Sequence, residues 1–338
     1  MRLLLALLSG LGLAALIVLV AERVMAPAAA PVPVPTVAAT ARPAAAVEPT
    51  TAEAQWAQAR EVAWPALMAR AEAGDAEAQF RRAMGMLTGA FEPANPDEAR
   101  RWFLRAAKQG YGRALNALGE CDSTEEFGAA DHARAARYFQ EAWKAGEPMG
   151  MFNLGLQAEH GLGRPRDVAE ALRCFRQAAD RGAPVALNRL GLICMEGDLA
   201  PKDERQAVAY FRQAAEKGDA QAWLNLTVAY RLGAGIPVSP TQALDCARQA
   251  WAQGEVDGGF LVGELLTETG GDPAEAIAYL LAARSCDGSP ESAARFRRLV
   301  HPLLDKAGTT EARHRVTDTQ RRLLVDRARR QFREIFGP

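Results

Sequence analysis

Six glycines, Gly74, Gly110, Gly146, Gly182, Gly218 and Gly254, follow one another at steps of 36 residues. A register kept that strictly demands one structural unit copied along the chain, each copy resting on its neighbours. The unit repeats most clearly across Gly146–Gly218, where two consecutive lines carry nearly the same pattern. Four residues after each ladder glycine stands a small residue: Ala78, Ala114, Gly150, Ala186, Ala222 or Gly258. Eight after it come Leu118, Leu154, Leu190, Leu226 and Val262, with Arg82 the exception. Nine after it come Gly119, Gly155, Gly191 and Gly263, with Ala83 and Thr227 out of pattern. Positions four and eight share a helical face, so each unit opens with a helix that lets a neighbour approach closely.

A second helix is announced by its start. Twenty-one residues after the ladder glycine stand Asn95, Asp131, Asp167, Asp203 and Ser239; Asp272 takes the role in the last unit, after a three-residue deletion. All are residues whose side-chain oxygen satisfies the free N–H groups of a helix N-terminus. Glu98, Glu170, Gln206, Gln242 and Glu275 follow at the third helical position, which predicts a reciprocal capping box in five of six units; Arg134 departs. Pro96, Pro240 and Pro273 sit where no helical hydrogen bond is lost. Inside this helix Ala99, Ala135, Ala171, Ala207 and Ala243 recur, followed by Phe103, Phe139, Phe175 and Phe211. The next ladder glycine then ends it in a left-handed turn. No segment alternates with period two, so no strand is expected. The fold predicted is an all-α, right-handed α-solenoid of about six helix-turn-helix units over residues 74–290, with unit two departing in its turn at Glu120–Ala130.

This pattern resembles the Sel-1-like repeat family, relatives of the tetratricopeptide repeats. The carrying residues are Leu154-Gly155, Leu190-Gly191, the turns Gly161-Leu162-Gly163 and Gly233-Ala234-Gly235-Ile236, and the Phe-x-x-Ala-Ala endings at Phe175 and Phe211. The resemblance implies a scaffold or adaptor for protein complexes, often in secreted or envelope pathways, with the first helices lining a groove. Seven residues after each ladder glycine stand Arg81, Ala117, Asn153, Arg189, Asn225 and Leu261. Arg81, Asn153, Arg189 and Asn225 are therefore the candidate groove residues. Asparagine suits the backbone of an extended protein or peptide, and arginine suits a carboxylate.

The flanks set the context. Leu3–Ala21 is an uncharged apolar run behind Arg2, within a signal-anchor or signal-peptide segment at residues 1–24. As a helix it spans about 28 Å, close to a hydrocarbon core, which favours an uncleaved anchor in the inner membrane and a periplasmic solenoid. Ala26-Pro27-Ala28 offers the alternative of cleavage and a secreted or periplasmic protein. A Pro/Ala-rich linker follows at residues 25–52. Residues 53–73 read as a capping helix interrupted by Pro65. Residues 291–338 carry twelve Lys/Arg against six Asp/Glu, although the whole chain of 338 residues has net charge −1. Within that basic C-terminal cap, Val316, Leu323, Leu324, Ala328, Phe332 and Ile335 form an apolar stripe beside a row of arginines. The stripe fits docking on the last repeat, and the basic face suits an acidic partner or anionic lipid. Nucleic acid is not expected as a partner of an exported domain.

Chemistry is scarce. The five cysteines, Cys121, Cys174, Cys194, Cys246 and Cys286, have no metal spacing and read as small core residues. No two of the four histidines pair, and no phosphate loop or nucleophile motif stands out. No enzyme activity, metal or cofactor is expected. The function expected is a protein- or peptide-binding scaffold of the bacterial envelope. The alternative is a binder or assembly factor for peptidoglycan or exopolysaccharide, or an enzyme accessory subunit.

Overall fold

The computed structural model describes residues 63–304, except 90–92, 126–127 and 288, together with 316, 318–320 and 323. The apolar run at Leu3–Ala21, the linker and most of the basic C-terminal segment lie outside the described residues. Among the described residues no helix is long and apolar enough to cross a membrane, and all regular structure is helical. The helices are α1 (Trp64–Glu72), α2 (Ala76–Thr88), α3 (Pro96–Lys108), α4 (Gly112–Ser123), α5 (His132–Lys144), α6 (Pro148–His160) and α7 (Val168–Asp180). They continue as α8 (Pro184–Glu196), α9 (Glu204–Glu216), α10 (Ala220–Leu232), α11 (Pro240–Ala252), α12 (Val256–Thr269), α13 (Pro273–Cys286) and α14 (Pro290–Leu304). Even-numbered helices from α2 to α12 are the first helices of six units, and odd-numbered ones from α3 to α13 the second. Each packs chiefly on the helices before and after it in sequence, the arrangement of a solenoid.

The ladder glycines end the preceding helix with φ between +77° and +106°. A Cβ at Gly74, Gly110, Gly146, Gly182 or Gly218 would meet nothing within 4 Å. Backbone conformation alone therefore demands glycine there. At Gly146 the N–H donates to the Trp143 carbonyl at 3.1 Å and that of Glu147 to Ala142 at 2.9 Å, a Schellman closure.

The six predicted N-caps all accept a backbone N–H from the first turn of their helix. The reciprocal half of the capping box is not made in the first five units. The N-cap's own N–H crosses the turn instead. Asn95, Asp131, Asp167, Asp203 and Ser239 donate to the carbonyls of Met86, Asp122, Ala158, Cys194 and Tyr230. Those carbonyls sit in the last turn of the first helix and lack a helical donor, so one bond satisfies two orphan groups and ties the hairpin shut. Glu98 and Glu170, relieved of that task, pair with Arg101 and with Arg164.

Packing explains the small residues. A Cβ on Gly150 would strike the Phe139 carbonyl of α5, and one on Gly258 would lie 2.5 Å from the Trp251 nitrogen of α11. Position four thus rests on the second helix of the preceding unit. A Cβ on Gly155 would stand 2.6 Å from the Phe175 ring, one on Gly191 2.5 Å from Phe211, and one on Gly263 2.5 Å from Leu280. Position nine thus receives the large side chain of its own unit's second helix. Phe103, Phe139, Phe175 and Phe211 are buried to 2% exposure or less. Unit five departs at both ends of this contact together: Thr227 replaces the glycine and Ala247 the phenylalanine, both at 0% exposure. The Thr227 hydroxyl donates to the Trp223 carbonyl at 2.9 Å.

The turn of unit two begins later than the sequence suggests, because α4 continues through Ser123. Asp122, 1% exposed at its side chain, there takes Arg100 at 2.6 Å and Arg134 at 2.5 Å. This triad joins α3, α4 and α5 where other units use a glycine turn. Burial works to raise the Asp122 carboxyl, but the hydrogen bonds from Arg134 and Arg100 outweigh it and hold it below the ordinary range.

Both ends of the stack are covered. In α1, Pro65 lies in the first turn, and Trp64, Leu67 and Ala71 are buried, with the Trp64 ring filling the space over Gly85. Residues 53–62 of the predicted capping stretch fall outside the described residues. At the other end Val300 and Leu303 of α14 join the core, and Val316 and Leu323 pack against it. Two members of the predicted C-terminal stripe thus dock on the last units.

Candidate partner-binding face

The first helices present one stripe opposite positions four and nine, the positions that rest on the second helices. By register it holds positions three, seven, ten and fourteen after each ladder glycine, one helical stripe. Row seven contains the sequence candidates, and most are already engaged. Asn153 is 7% exposed, and its amide donates to Asn116 at 2.9 Å and to Glu120 at 3.4 Å, both on α4. Arg189 pairs with Glu159 of α6, whose side chain is 5% exposed. Asn225 donates to Asn188 of α8 at 2.8 Å. Each of the three reaches back to the preceding first helix, so the row is a seam that holds α4, α6, α8 and α10 side by side. Arg81 does not join it; it pairs with Glu77 of its own helix at 2.7 Å. Farther on, Arg231 of α10 reaches Glu264 and Glu268 of α12, and Arg295 of α14 reaches Glu264 and Asp257.

Sequence reasoning passed over two other rows in the same register. Row ten reads Met84, Glu120, Leu156, Leu192, Val228 and Glu264. Row fourteen includes Glu196, Leu232 and Glu268 in units four to six. Val228 is 45% and Leu232 73% exposed, one turn apart on α10, and Val238 in the following turn is exposed as well. The signal for these rows was the same 36-residue step that revealed the glycines.

Glu120 is the unusual member. Asn116 donates to its carboxylate at 2.9 Å, and among the described residues no Lys or Arg pairs with it. Burial pushes the carboxyl up to about 7, against the two amide hydrogen bonds, and the Glu147 charge adds to the rise. Among the described residues Glu120 is the strongly perturbed acid on this face, the kind of group that marks functional surfaces.

Elsewhere the chemistry is quiet. Cys121, Cys174 and Cys246 are buried free thiols, Cys194 is a half-buried one, and Cys286 is buried. Burial pushes the Cys121 thiol to about 12 and Cys246 to about 11, away from reactive thiolate. Among the described residues no cluster of His, Cys, Asp and Glu suits a metal ion. His160 closes α6 as an exposed residue, whereas His132 is half-buried.

Comparison with known proteins agrees with this architecture. The Sel1 repeat family model matches residues 76–111, 112–147, 148–182, 184–219 and 220–255. The pair α12–α13 continues the same geometry beyond them as a sixth unit. A Sel1 repeat protein from Oxalobacter formigenes is 26% identical, with a TM-score of 0.55 over 64% of this chain and 89% of that one. The protein c5321, a protective antigen of uropathogenic Escherichia coli strains displaying an SLR fold, is 22% identical with a TM-score of 0.55, over 82% of this chain and 57% of that one. No curated protein matches the chain. Five matched repeats, closed by glycines at fixed steps and carrying buried rings against fixed gaps, place this chain in the Sel1 repeat family.

Proposed function

We propose that this protein is a non-catalytic scaffold that holds a protein or peptide against this face of its first helices. Sel1-repeat proteins are typically protein–protein interaction scaffolds, and the fold here is of that kind. The observation that carries the reading is the pair of exposed apolar side chains Val228 and Leu232, one turn apart on the first helix of unit five. Large apolar side chains grouped on a surface mark interaction sites. Row seven, through Asn153, Arg189 and Asn225, supports the same face by holding its helices in register, and leaves Arg81 outside the seam. The apolar run at Leu3–Ala21 and the linker after it support placement in the bacterial envelope, anchored or released.

Site-specific photo-crosslinking in cells tests the proposal. A crosslinker at Val228 or Leu232 should capture a discrete protein, and the same probe at Arg101 or Arg173 on the second helices should not. Equal capture from both faces would refute the assignment of the face. Fractionation of the cells tests the envelope placement. Sedimentation with purified sacculi, without any protein adduct, would favour the polymer-binding alternative.

A further inference from the structure

We infer that the face seats a protein segment that is apolar along units three to five and places a Lys or Arg side chain on Glu120. This deepens the scaffold reading and rests on it. Row ten supplies the pattern: the half-buried Leu156 and Leu192, which also pack on the core, and the exposed Val228 stand in consecutive units, with a carboxylate at either end in Glu120 and Glu264. The two ends differ. Glu264 already holds Arg231 and Arg295 at 3.4 and 3.0 Å. Glu120 holds two amides and no cation among the described residues.

An amide-held carboxylate keeps one orientation, because Asn116 and Asn153 fix the Oε1 oxygen and leave the other to a newcomer. Asn116 and Asn153 are themselves 8% and 7% exposed, so they are set by the packing rather than by solvent. Glu147 is the charged neighbour on the adjoining α6 terminus, and it adds negative potential rather than relieving it. Arg100 and Arg134, the guanidinia bound to α4, are committed to Asp122. An arriving guanidinium or ammonium group would thus meet a partly desolvated, uncompensated carboxylate, where a charge-assisted hydrogen bond counts for more than in water. The apolar rows supply area; Glu120 supplies register and direction, since an opposed cation is the polar feature that distinguishes one end of the seat.

The raised carboxyl gives the interaction a pH signature. Below about 7 Glu120 is increasingly protonated and the cation loses its partner, whereas the apolar contacts persist. A cation that binds would in turn draw the carboxyl back down.

Fluorescence anisotropy with the full chain tests this. Three labelled synthetic peptides serve as probes: an amphipathic peptide with a leucine stripe and arginines at one end, the same peptide with Gln for Arg, and the same with Ser for Leu. The Leu/Arg peptide should bind best. Glu120→Gln should weaken it about tenfold, the worth of one interfacial charge pair, and leave the Gln peptide unchanged. Val228→Ser with Leu232→Ser should weaken both leucine peptides. The Glu120→Gln effect should shrink as pH falls below about 7 and be lost by about pH 5, since the bound cation holds the carboxyl lower than in the free chain. Equal binding of the Ser peptide, an unchanged affinity in Glu120→Gln, or no binding of the Leu/Arg peptide would overturn the inference. Melting curves check that each variant is folded. The wider scaffold reading stands or falls separately, on whether cellular crosslinks come from the first-helix face.

Discussion

The pairing of a gap on the first helix with a ring on the second can be tested by moving unit five's solution into unit three. The perturbation is a double-mutant cycle of Gly155→Thr and Phe175→Ala. Phe175 is 0% exposed, so truncating it alone should cost about 3–5 kcal/mol. Gly155→Thr alone places a Cβ 2.6 Å from the Phe175 ring and 3.1 Å from the Cys174 Cβ, an overpacking worth about 1–3 kcal/mol. Helix propensity returns about 0.5 kcal/mol of that. In the double variant the threonine enters the space the ring vacated, and its hydroxyl can bond one turn back, as Thr227 does to Trp223 at 2.9 Å. The double variant should therefore be more stable than the sum of the singles by about 2 kcal/mol. Some cost remains, because unit five also fills its core with Trp251, 4% exposed, where unit three has Ala179. The assay is urea unfolding followed by circular dichroism, with hydrogen exchange on α6 and α7, since a solenoid need not unfold in one step. Additivity within about 0.5 kcal/mol would refute size complementarity as the reason for the two exceptions in unit five.

Other predictions follow from single features. Gly146→Ala should cost about 1 kcal/mol through backbone strain alone, with no local repacking visible by NMR, because its φ is +89° and the space around it is open. Asp122→Asn should destabilise the α3–α5 region by about 2–4 kcal/mol; both guanidinia keep partial solvent contact, which places the cost below that of a fully buried pair. The two acids of α4 should act oppositely on stability. Asp122, with a lowered folded pKa, contributes above the ordinary carboxyl range and loses its contribution as pH falls through its folded value. Glu120, raised to about 7, binds its proton more tightly when folded, so stability should fall as pH rises from about 4.5 to 7, and Glu120→Gln should flatten that slope in melting curves. Among Cys121, Cys174, Cys194 and Cys246, Cys194 should react first with a thiol reagent in the native state, being half-buried where the other three are buried.

Much of this architecture was written in short-range chemistry. Helix ends depend on residues close in sequence: a glycine able to take positive φ, an Asp, Asn or Ser able to receive an N–H. Their positions were accordingly legible at all six caps and all six ladder glycines, and their recurrence identified the solenoid and the family. Reciprocal capping was the local feature that failed, because the competing acceptor, such as the Ala158 carbonyl for Asp167, lies across the turn on another helix.

What needed the tertiary structure was the use made of each polar side chain. Asn153, Arg189 and Asn225 stand in register in the sequence, which is equally compatible with an open ligand row and with a seam between helices. Only the packed stack shows Asn153 reaching Asn116, Arg189 reaching Glu159 and Asn225 reaching Asn188, because each partner comes from the unit before. The same holds for Glu120: its perturbed carboxyl arises from desolvation and from amides on two helices, quantities that no local pattern encodes. By itself the sequence determined where helices begin and end and how often the unit recurs, since those follow from backbone geometry. The tertiary structure decided which polar groups are consumed in holding the units together and which are left to meet a partner, since that depends on distances between residues some 36 positions apart.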